Sequence, residues 1–256
     1  METNQTSDLI HQTKSDLKQA LKDHDGDLKH SGVTQLIEKL VSLNPNPAPT
    51  EAQTLLEGNW KLISAPNFSG RIADEEHRYV YTLGRLAFNQ FEPINLKIAI
   101  EKVFQPVFPT GNENEYSHDI VVNFKIIDEN TPNLRGVIRN LAVCTPIDSN
   151  TVQVMFTGAL LAPSQQQSQQ EFQQWISLFG DSHKSSHISL LERLKNGFIK
   201  KILGIGKVSE LNRKTGEQYF PISRSPKGLL NILYLDEEIR IKRGNRGTVL
   251  VCQKVE

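Results

Sequence analysis

The chain has 256 residues with 29 acidic and 29 basic side chains, so no global charge marks it for nucleic acid. No apolar run reaches the roughly 18 residues that a spanning helix needs. Its first twenty residues hold no Arg and no apolar core, so neither a secretory signal nor a transit peptide is read there and a cytoplasmic chain is expected.

From about Ser7 to Leu43 the spacing predicts two helices. Leu9, Ile10, Leu17 and Leu21 mark the first, and Asp23 to Asp27, with Gly26, break it. Ser31 is expected to cap the second, which carries Val33, Leu36, Ile37, Leu40 and Val41. Pro45, Pro47 and Pro49 then make an extended connector. An N-terminal helical extension over 1–49 is therefore followed by a second unit over 50–256.

From Leu55 the pattern changes to strands, with Trp60 and Leu62 on one face of the first and Pro66 ending it early. Leu96 to Phe104 and His118 to Ile127 follow. Ile120, Val122, Phe124 and Ile126 alternate with Asn123 and Lys125, the pattern of a half-solvated antiparallel strand. Leu134 to Cys144 and Thr151 to Ala159 read as one hairpin, and Ile239–Arg243 with Thr248–Gln253 as another across Gly244 to Gly247. Cys144 and Cys252 both fall in these apolar runs and read as packed, reduced thiols. Between the hairpins, 164–210 is a low-complexity and helical insertion: a Gln-rich run, then Phe172, Trp175, Ile176 and Phe179 at helical spacing, then an amphipathic segment. The chain returns to the sheet near Tyr219. Many short strands with regular turns favour a barrel or sandwich over a parallel α/β fold.

Chemical signals are sparse. His183 and His187 stand at i, i+4, but no carboxylate or Cys completes a metal set. The Asp23–Asp27 run lacks the glycine position and closing Glu of a calcium loop. No Gly-x-Ser-x-Gly and no Ser/His/Asp set is present, so no catalytic site, metal or cofactor is expected. The segment from Lys184 to Lys207 carries six basic residues against one acidic residue. Its apolar stripe includes Phe198 and Ile202, with Arg193, Lys200 and Lys201 roughly opposite, a pattern that suits a bilayer interface with anionic headgroups. The plainer reading is a packed helix with a solvated basic side.

Near both ends stand the pieces of a closure. Gly58 and Trp60 open the first strand, and Tyr234, Leu235, Asp236, Ile239, Arg240, Ile241, Arg243, Gly244, Asn245 and Gly247 form the penultimate one. With Leu43-Asn44-Pro45 before them, these residues make the chain resemble the plastid lipid-associated protein family, also called PAP/fibrillin, in a bacterial, cyanobacterial-type form.

The resemblance implies a mainly β fold, a lipocalin-like closed antiparallel barrel, that is not an enzyme. It implies binding or sequestration of an apolar isoprenoid, carotenoid, quinone or lipid, with peripheral attachment to thylakoid membranes. The alternative is a structural or interaction protein whose filled barrel docks a membrane enzyme or photosystem component. Trp60 and one of Arg240 or Arg243 would form a barrel-closing stack. Alternation puts Arg243 inward with Ile239 and Ile241, and turns Arg240 outward towards Asp236. Candidates to line a ligand cavity are Ile120, Val122, Phe124, Ile126, Val152, Val154 and Phe156, which would otherwise fill the core.

Overall fold

A computed structural model describes residues 2–129, 131–180 and 200–256. The chain starts with two helices, α1 (Glu2–Asp23) and α2 (Ser31–Ser42). They pack on each other through Leu17, Leu21, Val33, Ile37 and Leu40, all buried at helical spacing. The turn between them needs Gly26, which sits at φ +74, where a Cβ would come within 2.4 Å of the Ala65 amide nitrogen. One expectation is corrected here. Ser31 is the first helical residue, and His30 occupies the cap position without a side-chain hydrogen bond.

A short helix α3 (Gln53–Leu56) precedes β1 (Asn59–Leu62), so Leu55 and Leu56 are helical where a strand was expected. The chain then runs through β2 (Val80–Thr82), the short helix α4 (Leu83–Leu86), β3 (Lys97–Phe104), β4 (Tyr116–Ser117) and β5 (Ile120–Ile126). Next come the long strands β6 (Arg135–Pro146) and β7 (Thr151–Pro163), then helix α5 (Gln169–Gly180). β8 (Gln218–Pro221), β9 (Gly228–Leu235), β10 (Ile239–Gly244) and β11 (Val249–Val255) complete it.

These strands make one mainly antiparallel sheet. Its ladders run β6–β5–β3–β1–β11–β10–β9–β7 and return from β7 to β6, so eight strands form a ring of pairings. β2, β4 and β8 hang on β3, β6 and β7. The narrowest join is β1 to β3, a single ladder pair, Lys61 with Phe104. It is extended by the Gln105 amide donating to the Trp60 carbonyl and by a bridge between Gly58 and Val107. The long β6–β7 hairpin turns where the Asp148 carboxylate accepts from the Asn150 and Thr151 amides.

The sequence separates the two faces of the ring. Inside, one apolar cluster joins Ile98, Ile100, Val122, Phe124, Ile126 and Ile138 to Trp175 and Phe179 of α5 and to Leu83 and Phe91. Gly136 lets α5 come this close, because a Cβ there would lie 2.5 Å from the Trp175 ring and 2.6 Å from Phe124. The Trp175 indole N–H donates to the Gly216 carbonyl, which satisfies its one polar atom. A second inner cluster holds Leu56, Trp60, Val107, Tyr116, Cys144, Val152, Val154, Ile232, Leu235 and Cys252.

Outside, Tyr234, Ile239, Ile241 and Val251 lie under the α1–α2 hairpin. Each apolar side chain buried there contributes about 1.5–3 kcal/mol. The helical extension is thus part of the core of this face.

Candidate functional site

The inner end of the ring around Trp60 gathers polar groups that would otherwise be unexpected in a core. Because Ile239 and Ile241 point outward to the helices, alternation sends Arg240 and Lys242 inward. Both are 2 % exposed. Arg240 stands opposite Cys252 on β11, and Lys242 stands opposite Ile232 on β9, beside a bulge that keeps Tyr234 outside.

The Arg240 guanidinium carbon lies 4.6 Å from the centroid of the Trp60 ring, and the Lys254 ammonium 5.3 Å from it. The indole is fully buried and donates its N–H to the Leu56 carbonyl at 2.8 Å. A guanidinium over a dry indole face contributes about 2 kcal/mol. Arg240 also donates to the Gln105 carbonyl, but its Nε finds no partner.

Lys242 Nζ is 3.0 Å from His118 Nε2, and His118 Nδ1 is likewise unpartnered. Burial pushes the Lys242 ammonium well below its ordinary range, and the charge of Arg240 pushes it further. Burial, then Lys242 and Arg240, push His118 well below its own. The Cys144 thiol is raised to about 11, chiefly by burial. These groups and Leu56, Val107, Tyr116, Pro146, Val152 and Ile232 surround a cavity of about 20 Å³, room for one water-sized species. The larger recesses are open grooves on the outside, among them one of about 960 Å³ between β5–β7 and residues 163–169.

Arg243 is corrected. It is exposed, next to the Gly244–Gly247 turn, and does not approach Trp60. The apolar face of β10, with Ile239 and Ile241, serves the helices outside, so Arg240 and not Arg243 points inward. Asp236 does not pair with Arg240 either. Its carboxylate accepts from the Glu238 and Ile239 amides, from the Tyr234 hydroxyl at 2.7 Å and from Lys14 of α1 at 2.8 Å. Burial alone would raise this carboxyl, but the bonds from Lys14, Ile239, Tyr234 and Glu238 hold it below its ordinary value. Asp236 therefore anchors the outer hairpin.

The seven lining candidates divide in two. Ile120, Val122, Phe124 and Ile126 belong to the α5 side of the interior, Val152 and Val154 to the Trp60 side, and Phe156 touches both. Phe156 also meets Phe88 edge-on at 5.6 Å.

Of the membrane candidates, Arg193 and Phe198 lie outside the described residues, as do His183 and His187. Lys200, Lys201 and Ile202 are exposed at the end of a helical turn over 200–203 that stops at Gly204, φ +57. Among the described residues no group of three or more His, Cys, Asp or Glu could hold a metal, and no helix is long and apolar enough to cross a membrane.

The reasoning from sequence missed Lys242, His118 and Gln105. The signal that could have found them is the amphipathic α1–α2 pair, whose apolar faces need a sheet face to cover.

A mainly antiparallel sheet ring with an inner indole–guanidinium stack and an outer helical hairpin defines the architecture. The chain belongs to the PAP_fibrillin family, whose model matches residues 9–253. It is 26% identical, over 93% of its length and 68% of the relative's, to a chromoplast-specific carotenoid-associated protein of an Oncidium hybrid cultivar. It is 25% identical to a chloroplastic light-induced protein of Solanum demissum, over 87% of this chain and 59% of that one. A probable plastid-lipid-associated protein of Arabidopsis thaliana is also 25% identical, with 87% of this chain and 51% of that one covered. No solved structure matches the chain. By their names the Oncidium relative is carotenoid-associated and chromoplastic, the Arabidopsis one is a probable plastid-lipid-associated, chloroplastic protein, and the Solanum one is chloroplastic.

Proposed function

We propose that this protein is a non-enzymatic, lipocalin-like barrel that associates peripherally with lipid at photosynthetic membranes and meets its apolar partner on the outside. The observation that carries this reading is how tightly the described residues pack inside the ring. The cavity beside the stack measures about 20 Å³, against the roughly 300 Å³ or more that an enclosed small-molecule site needs. At the other inner end, Trp175, Phe179 and Phe91 occupy the space an isoprenoid chain would take. The Trp60–Arg240 pair acts in this reading as the closure of the barrel, and the ring of pairings supports it. The names of the chromoplast carotenoid-associated and plastid-lipid-associated relatives support a carotenoid or other apolar lipid as the partner.

The second reading is sequestration of an isoprenoid inside the barrel, favoured by the apolar inner set around Phe124 and Phe156. It requires α5 to withdraw. Mass spectrometry of organic extracts, made from protein purified out of its own cells, separates the two. The expected result is lipid that is removed by detergent washing and is not stoichiometric. An isoprenoid retained at one per chain after washing would overturn the outer-surface reading.

A further inference from the structure

Two basic side chains, Arg240 and Lys242, are buried in the same small space, and no carboxylate comes with them. The groups that act on Lys242 are Arg240 and the thiols of Cys252 and Cys144, and those that act on Arg240 are the same two thiols. Among the described residues, every ion pair lies elsewhere. Arg240 keeps its charge at any ordinary pH, and a buried charge without a counter-charge costs several kcal/mol. Three nitrogen-bearing side chains line the cavity, with the Tyr116 hydroxyl and the Cys144 thiol beside them, and Arg240 and His118 each have a nitrogen without a partner. When Lys242 donates to His118 Nε2, the imidazole carries its proton on Nδ1, which makes that nitrogen a donor too. Buried nitrogen donors left without an acceptor, around a space the size of one water, are the chemistry of an anion site.

We propose that the cavity between Arg240, Lys242 and His118 binds one monovalent anion of roughly water size, a halide, as the missing counter-charge of the ring interior. The walls Leu56, Val107, Val152 and Ile232 are apolar, so they add no competing acceptor side chain. The small volume selects against polyatomic anions such as sulfate, phosphate and carboxylates. Tyr116 faces the site from β4, His118 from the β4–β5 connection, Cys144 from β6, Arg240 from β10 and Cys252 from β11. Burial disfavours the charged form of Lys242 and an anion beside it favours that form, so anion binding is coupled to proton uptake there. Affinity should then rise by up to about tenfold for each unit by which pH falls, while Lys242 is the group taking up that proton. This inference is independent of the lipid reading, since an outer lipid surface and an inner anion site can each exist without the other.

The test uses the full chain in gluconate buffer at constant ionic strength, titrated in separate arms with chloride, bromide and sulfate. The readout is the thermal midpoint at pH 6 and pH 9. A saturable rise with chloride or bromide, larger at pH 6 and absent with sulfate, is the expected result. Lys242→Met and Lys242→Gln should both remain folded, because replacing a buried cation by a neutral side chain removes a desolvated charge. Both should lose the rise and its pH dependence. A midpoint that does not respond in any arm, with an adventitious water alone in the cavity, would overturn the proposal. So would the same response in wild type and in both variants.

Discussion

At the scale of single residues, Trp60 of β1 and Arg240 of β10 meet across β11, which pairs with both strands. Trp60 is wholly buried with its N–H satisfied, so Trp60→Ala should lower the unfolding free energy by about 3–5 kcal/mol in a urea titration. A double-mutant cycle with Arg240→Met should leave a coupling of about 0.5–2 kcal/mol, which isolates the stack from the cavity. Asp236 makes a different, pH-dependent contribution. Its carboxyl is held below its ordinary value of 3.8 in the folded chain, so it adds stability above about pH 4 that is lost as pH falls through the folded value. Asp236→Asn should therefore flatten the acid limb of a stability–pH profile, and it should change the alkaline limb too, because Asp236 helps raise Lys14 and Tyr234. An unaltered acid limb would show that the bonds from Lys14 and Tyr234 contribute no net stability. The choice between Arg240 and Arg243 was not legible from the strand itself. Alternation gives two faces, and only the tertiary partner says which one is inside.

Elements built on strong local periodicity were the legible ones. β5, the β6–β7 hairpin, the β10–β11 hairpin and both N-terminal helices follow from alternation, helical spacing and turn residues. β2 and β4, of three and two residues, carry too little pattern to read, and β9 is interrupted by a bulge that breaks its alternation. The role of the helices was also hidden, because periodicity shows that a face is apolar without saying what covers it. Two glycines test how elements are joined. Gly26→Ala combines a positive φ with a clash against backbone at Ala65, so the α1–α2 hairpin should lift from the ring. Proteolysis near residues 24–30 should become much faster than in wild type. Gly136→Ala would push a methyl into the Trp175 and Phe124 rings, where overpacking costs about 1–3 kcal/mol. Its signature should be a changed Trp175 environment in near-ultraviolet circular dichroism. A native spectrum and an unchanged midpoint would mean that α5 is not held against β6.

For the molecule as a whole, the question is which surface reaches lipid. The net charge is zero, so attraction to an anionic membrane must come from a local patch, and the Lys184–Lys207 segment carries the strongest one read from sequence. Within it, Lys200, Lys201 and Ile202 are described and exposed. Ile202 at 55% exposure is not holding the core together. Ile202→Ser should therefore keep the wild-type thermal midpoint while weakening flotation with neutral and anionic vesicles alike. Changing Arg193, Lys200 and Lys201 together to Gln should act differently. Each cation near an anionic surface contributes about 1 kcal/mol, and the attraction is screened over about 8–10 Å at physiological salt. The triple variant should lose up to about 3 kcal/mol of binding, only with anionic lipid, and the loss should shrink as salt rises. If it floats with anionic vesicles at low salt as well as wild type does, this helix end is only a solvated basic face. Lipid contact would then have to be sought elsewhere on the outside of the ring, first in the open groove between β5–β7 and residues 163–169.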